Sequence, residues 1–117
     1  MSATAVVVKA LTKTAGMRVS TVMPDPEPEE FIIVSRIGGG ADDWATRNPR
    51  FLIECYAHSE LAAEHLGERV WELWPALRDG TTIMWASRDN NLARNPDPDP
   101  KLHRFQFTAS LQLRPTP

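Results

Sequence analysis

The C-terminal end of the chain carries a strict alternation. Phe105, Phe107, Ala109, Leu111 and Leu113 alternate with Arg104, Gln106, Thr108, Ser110, Gln112 and Arg114. A strand turns successive side chains to opposite faces, so a period of two predicts one long strand. Its apolar face lies on a core and its other face meets water or a polar partner. Pro115 and Pro117 end it. A chain with such a strand must build a sheet covered on one face, and the remaining residues must supply the neighbours and the cover.

Those neighbours are legible upstream. Phe31 to Ile37 is apolar and β-branched, and its unbroken start predicts a strand covered on both sides at one end. Arg50 to Ala57 predicts another, with Phe51, Ile53, Cys55 and Ala57 on one face and Leu52, Glu54 and Tyr56 on the other. Met17 to Val22 reads as a short strand, and Thr81 to Arg88 as a fourth with Ile83 and Trp85 on one face. The cover is helical. A helix is predicted over Ala3 to Thr14, stopped by Gly16. A second begins at Glu60, capped by Ser59, with an apolar stripe of Ala62, Leu66, Val70, Leu73 and Leu77 widened by Trp71 and Trp74. Gly67 on it signals close packing against the sheet, Pro75 a kink or restart, and Asp79-Gly80 the end.

Three segments join these elements. Pro24 to Glu30 is a proline-rich connector, Gly38 to Pro49 a long loop, and Asp89 to Lys101 a second long loop whose Asp-Pro-Asp-Pro run is either a stiff spacer or disordered. The order is α-β-β-β-α-β-β. It has no βαβ rhythm, so the expected fold is α+β: a mainly antiparallel sheet of about five strands with two helices on one face. At 117 residues, with 42% hydrophobic and 24% charged, the chain is expected to form one domain over 1–117 with its own core.

Charge and cysteine usage narrow the chemistry. A net charge of -2 carries no basic excess that would mark nucleic acid as the recognised partner. The single cysteine, Cys55, excludes an intrachain disulfide and any multi-cysteine metal site, and its place in an apolar strand predicts a buried thiol. No stretch approaches the ~20 apolar residues of a membrane span, and the apolar run Ala5 to Val8 lacks the basic start of a signal peptide. The expected setting is a cytoplasm, or a particle assembled there.

The candidate catalytic features fail on spacing. Gly38 to Gly40 leads into Asp42 and Asp43 and then a strand, whereas a phosphate loop needs a Lys-Ser/Thr and a helix. His58, His65 and His103, with Glu54, Glu64 or Glu68 as further ligands, match no zinc spacing. Glu54 with Asp43, and Cys55 with a histidine, have nothing in the sequence to join them. No catalytic, cofactor or metal residue is expected. Interaction features are stronger. Trp44 sits in a polar loop, where a large aromatic either folds back or anchors a partner. Asp42, Asp43 and Arg47 are placed to pair with Arg88, Arg94 or Arg104 across a subunit boundary.

The segment Phe31-Ile32-Ile33-Val34-Ser35-Arg36-Ile37-Gly38-Gly39-Gly40, an acidic loop, then Asn48-Pro49-Arg50-Phe51-Leu52-Ile53-Glu54-Cys55-Tyr56-Ala57 and a helix opened by Ser59, resembles the small tail-terminator or tail-completion proteins of long-tailed actinobacterial phages. The resemblance implies the lambda-type terminator fold and a hexameric ring of identical subunits. Such a ring binds the last ring of tail-tube protein, ends polymerisation and offers a surface to the head–tail connector, while DNA passes through without being read. It implies no cofactor and no chemistry. Its ring contacts would fall on Arg36, Gly38, Gly39, Gly40, Asp42, Asp43, Trp44 and Arg47, with Arg88 and Arg94 as pairing partners. The location would be the head-proximal end of the tail in the virion, after assembly in the host cytoplasm. The alternatives are another head–tail connector or neck subunit, a small-molecule-binding module with a closed apolar pocket beneath its helices, and a small hydrolase using His58 or His103.

Overall fold

The computed structural model describes residues 1–115. Helix α1 (Ala3–Ala15) begins where the Ser2 hydroxyl accepts the Ala5 N–H at 3.1 Å. It ends at Gly16, whose φ of 69° lets its N–H reach the Thr12 carbonyl. Then follow β1 (Val19–Ser20), β2 (Glu30–Gly39), β3 (Pro49–Ala57) and α2 (Glu60–Leu73). A 3-10 turn (Trp74–Leu77), β4 (Ile83–Arg88), β5 (Ala93–Arg94) and β6 (His103–Leu113) complete the elements among the described residues. Ser59 caps α2 by accepting the Ala62 N–H at 3.1 Å, and the helix tightens to 3-10 at Pro75.

The fold is α+β, with two helices and a six-stranded sheet in the order β1-β2-β3-β6-β4, β5 also pairing with β6. Only β1 and β2 run parallel. The expected first strand shrinks to two residues. The extra strand, β5, lies in the stretch expected to be loop. The edge of the sheet beside β6 is thus shared: β4 pairs with its C-terminal half and β5 with Phe105 and Gln106.

The register sets the core. Val34 faces Ile53, which faces Phe107; Ile32 faces Cys55, which faces Phe105. These side chains, with Phe51, Ala109, Leu111 and Leu113, pack against Val7, Leu11, Leu66, Val70 and Trp74, so both helices lie on one face. Every inward residue of the alternating strand is buried. Each large side chain so placed is worth roughly 1.5–3 kcal/mol. Trp74 sits at the centre, edge-on to Phe107 with centroids 6.1 Å apart, and its Nε1 donates to the Ser110 carbonyl.

Two details differ from the expected pattern. The buried line of α2 is Ala63, Leu66, Gly67 and Val70, continued by Trp74 and Leu77 in the turn; Ala62 and Leu73 lie at its margin. Leu66, Val70 and Leu77 lie on the expected stripe, while Ala63 is buried in place of Ala62 and the bulky Trp74 in place of Leu73. A Cβ at Gly67 would lie 3.2 Å from the Phe105 Cβ and 2.9 Å from Leu92, so the helix does approach the sheet closely there. Ile83 and Trp85 do not share a face. A register shift between them makes Ile83 face Leu113 in the core while Trp85 pairs with Gln112 on the open side, 51% exposed.

The face opposite the helices is only partly open. Phe31 stacks on Tyr56 with centroids 4.8 Å apart, and Ile33 and Leu102 complete a second apolar cluster. The Asp-Pro-Asp-Pro segment is neither spacer nor disorder: it folds across this end of the sheet and buries Leu102. That second layer is why Phe31 to Val34 are all buried.

Candidate functional site

The β2–β3 connection is a built structure. The strand register slips between Arg36 and Gly39. Gly38 and Gly39 take φ values of 104° and 122°, which side-chain-bearing residues rarely adopt. At Gly39 a Cβ would also collide with the Asn48 carbonyl oxygen and lie 2.8 Å from the Arg50 nitrogen. Asp42 accepts the Asn48 N–H at 2.8 Å, and Asn48 Nδ2 donates to the Ala41 carbonyl at 3.0 Å. Asp43 accepts the N–H groups of Ala45 and Thr46, each at 2.7 Å. The Ala45 and then the Thr46 bond hold its carboxyl below the usual aspartate range. Arg47 exchanges backbone hydrogen bonds with Leu113, at 2.9 and 2.8 Å, and its Nη1 donates to the Met1 carbonyl. At the tip of this tied loop stands Trp44, 92% exposed.

Of the sequence-predicted site residues, Arg36, Gly38, Gly39, Gly40, Asp42, Asp43, Trp44 and Arg47 gather at this one end of the sheet. Arg88 and Arg94 do not join them. The Arg88 guanidinium lies 3.8 Å above the Trp71 ring and donates to the Trp71 carbonyl at 3.0 Å, on the helix side. Arg94 pairs with Glu60 at 2.9 Å. Its register partner is Phe105, whereas Arg47 bridges to Leu113, roughly 26 Å further along β6 at ~3.3 Å per residue. Asp42 and Asp43 hold their own loop.

Arg104 belongs to a different construction. Its Nη1 reaches Glu54 Oε2 at 3.1 Å, the Tyr56 hydroxyl at 2.9 Å and Asp97 at 3.5 Å. Its Nε donates to the Asn95 carbonyl at 2.9 Å. The three charged side chains are 16%, 13% and 14% exposed. This network fastens the proline-rich segment to the polar side of β3 and β6. Burial pushes the Tyr56 phenol above its usual range, against the opposing pull of Arg104.

The histidines and the thiol lie apart from one another's chemistry. His58 and His65 are exposed, and His103 is half-buried opposite Ala57. Among the described residues no three His, Cys, Asp or Glu side chains are grouped to hold a metal ion. Cys55 is wholly buried, and burial, with Glu54 adding to it, drives its pKa far up, which leaves a thiol and no nucleophilic thiolate. Glu54 is engaged by Arg104 and Asp43 by its loop, so they form no carboxylate pair.

Sequence reasoning missed a cleft of about 360 Å³ between α1 and the 3-10 turn. Val6, Ala10, Leu77 and Ile83 line it beneath a rim of Lys9, Lys13 and Arg78. The available signal was the four-residue spacing of Lys9 and Lys13, which puts both on one helix face. The space beneath the helices is filled by the core side chains, and this cleft opens to solvent. No helix among the described residues is long and apolar enough to cross a membrane. The chain matches no protein-family model and no curated protein.

Proposed function

We propose that this chain is a non-catalytic structural subunit of a bacteriophage tail, forming a ring that caps the head-proximal end of the tail tube. The observation that carries the reading is Trp44, held almost fully exposed on a loop tied down at both ends. Large aromatics anchor protein interfaces, and a pre-ordered loop loses little entropy on docking. The residue pattern of β2, the glycines and β3 resembles the tail terminators, and the α+β layering agrees with that fold.

Two further features support a ring. The sheet has two unlike edges: β4 on one side, and on the other β2, paired with β1 over only two residues. Unlike surfaces permit the head-to-tail contacts that close rings. The open strip of the sheet carries Thr108, Ser110 and Gln112, and its Arg50 is neutralised by Asp89 at 3.0 Å. A neutral polar strip of this kind suits DNA that slides past without recognition, because tight binding needs several cationic phosphate contacts. In this reading the partners are other copies of the chain, six by the family resemblance, the tail-tube protein and the head–tail connector. The virion tail is the location, and no cofactor takes part.

The test is light scattering of the purified protein alone and with its tail-tube protein, with electron microscopy of tube lengths. A ring, free or formed only on the tube, and arrested tube growth are expected. A strict monomer that leaves tube growth unchanged overturns the proposal, and rings that bind a portal but not the tube shift it to a neck subunit.

A further inference from the structure

The loop tip and the α1 cleft are complementary in shape, polarity and sign. The tip presents one bare indole flanked by Asp42 and Asp43. The cleft offers an apolar floor of Val6, Ala10, Leu77 and Ile83 beneath Lys9, Lys13 and Arg78. Among the described residues neither Lys9 nor Lys13 is ion-paired. The lining's one carboxylate, Asp79, accepts the N–H groups of Thr81, Thr82 and Ile83 at 2.8 to 2.9 Å and stands against three cations. The rim is therefore cationic and the tip anionic. At about 360 Å³ the cleft is of the size that holds small ligands, enough for an indole ring.

The indole does not occupy the cleft of its own chain, since Trp44 is 92% exposed. The loop cannot bend to reach it without breaking the Asp42–Asn48, Asp43–Thr46 and Arg47–Leu113 bonds. We infer that Trp44 of one copy inserts into the Lys9–Lys13–Arg78 cleft of a second copy, and that this is the principal contact between subunits. The inference rests on the self-association that the proposed ring requires, and it names the two surfaces that meet. The charges steer the encounter and the indole supplies the anchor. The acceptor surface was not among the sequence-predicted contacts, which all fell on the donor loop or on arginines engaged elsewhere.

The test uses two variants of the full chain, Ala45→Cys beside the indole and Ala76→Cys on the cleft lining, both at exposed positions. Cys55 is fully buried and does not compete for a thiol reagent. The two variants are mixed, with tail-tube protein added if the chain assembles only there, and treated with a short bismaleimide. A covalent heterodimer is expected, formed far more from the mixture than from either variant alone. Trp44→Ala should weaken self-association on the order of 30-fold or more, the loss typical of an anchoring aromatic. Lys9→Glu with Lys13→Glu should weaken it as well, with less effect as salt rises and screens the pair. Assembly that persists in Trp44→Ala, or that gives no mixed cross-link, overturns this inference and leaves the ring reading standing. A chain that stays monomeric with and without the tube overturns both.

Discussion

Replacing Arg104 with methionine isolates the device that gives the sheet its second layer. Methionine keeps length and apolar stem but removes the charge and every donor. The structure then leaves Glu54 and Asp97, 13% and 14% exposed, facing each other's charge with no cation between them. It also takes donors from the Asn95 carbonyl and the Tyr56 hydroxyl. Removing one partner of a buried pair costs about 3–5 kcal/mol, and the wet rim of this site places Arg104→Met near the lower figure, about 3 kcal/mol. A domain with roughly 5–15 kcal/mol of stability survives that loss. Urea unfolding at neutral pH measures it. Amide exchange locates it: Asn95 N–H, bonded to the Arg104 carbonyl, and Leu102 N–H, bonded to that of Asp99, should exchange faster than Ile53 or Phe107. Adding Glu54→Gln and Asp97→Asn to Arg104→Met should recover more than half of the loss, because the unpaired charges, and not the missing attraction, dominate it. A loss below about 1 kcal/mol, or one spread evenly over all amides, would refute the claim that Arg104 holds the segment down.

Gly39→Ala should destabilise by on the order of 3 kcal/mol, combining a forbidden φ with a collision against the Asn48 carbonyl. Gly38→Ala meets nothing within 4 Å and should lose only the conformational part, about 1–2 kcal/mol; equal losses in urea unfolding would contradict the close-approach argument. Tyr56 is the chain's single tyrosine, so phenolate absorbance reports it alone, and its midpoint should lie above the ordinary value of 10.0. Since the folded pKa is raised, the associated stability is fully present below pH 10 and is lost as pH rises through the folded value. Tyr56→Phe should flatten that alkaline loss, and a midpoint at or below 10 would count against burial as the leading cause.

What could be read from the sequence was whatever repeats locally. The alternation from Arg104 to Arg114 set the core face of β6 without help, and Ser59 before Glu60 announced its cap. The unbroken apolar start at Phe31 correctly implied cover on both sides, but not what supplied it. That required the register pairing Tyr56 with Arg104 and Glu54 with Gln106, a fact about strands about fifty residues apart. Trp85 was misplaced because an extra residue in β4, invisible to a period-two count, turned it outward. The α2 stripe was legible at Leu66, Val70 and Leu77, and differed at Leu73 because packing favours the larger Trp74 at the centre. The acidic loop was legible in part: Asp43 three residues before Thr46 is the spacing of a side-chain-capped turn, which commits its Oδ1 to the loop.

In the proposed assembly Trp44 is the residue that acts outside the fold, since it alone of the tryptophans lacks a partner among the described residues. Four of the arginines expected at an interface have occupations within the chain: Arg88 on Trp71, Arg94 on Glu60, Arg104 on Glu54 and Asp97, Arg47 on Met1; Arg36 stays exposed beside the loop. The other tryptophans also have partners, Trp71 donating to the Asn90 carbonyl, Trp74 to that of Ser110, and Trp85 lying under Arg78 at 5.1 Å. Trp44 is left with water. A tryptophan buries roughly 150–250 Å², so at about 25 cal/mol per Å² its transfer into an apolar cleft is worth up to about 4–6 kcal/mol. Part of that gain is normally lost to ordering a loop at the moment of docking. Here the ordering is complete beforehand, through Asp42, Asp43 and Arg47, so most of the gain is available to association. A rigid loop with a bare indole is therefore a different object from a flexible loop with the same sequence, and loosening it should weaken assembly even with the indole in place. Asp42→Ala, which frees the Asn48 N–H while leaving Trp44 intact, separates the two. Weaker self-association with unchanged core exchange is expected, and assembly as tight as that of the unaltered chain would show that pre-ordering contributes nothing.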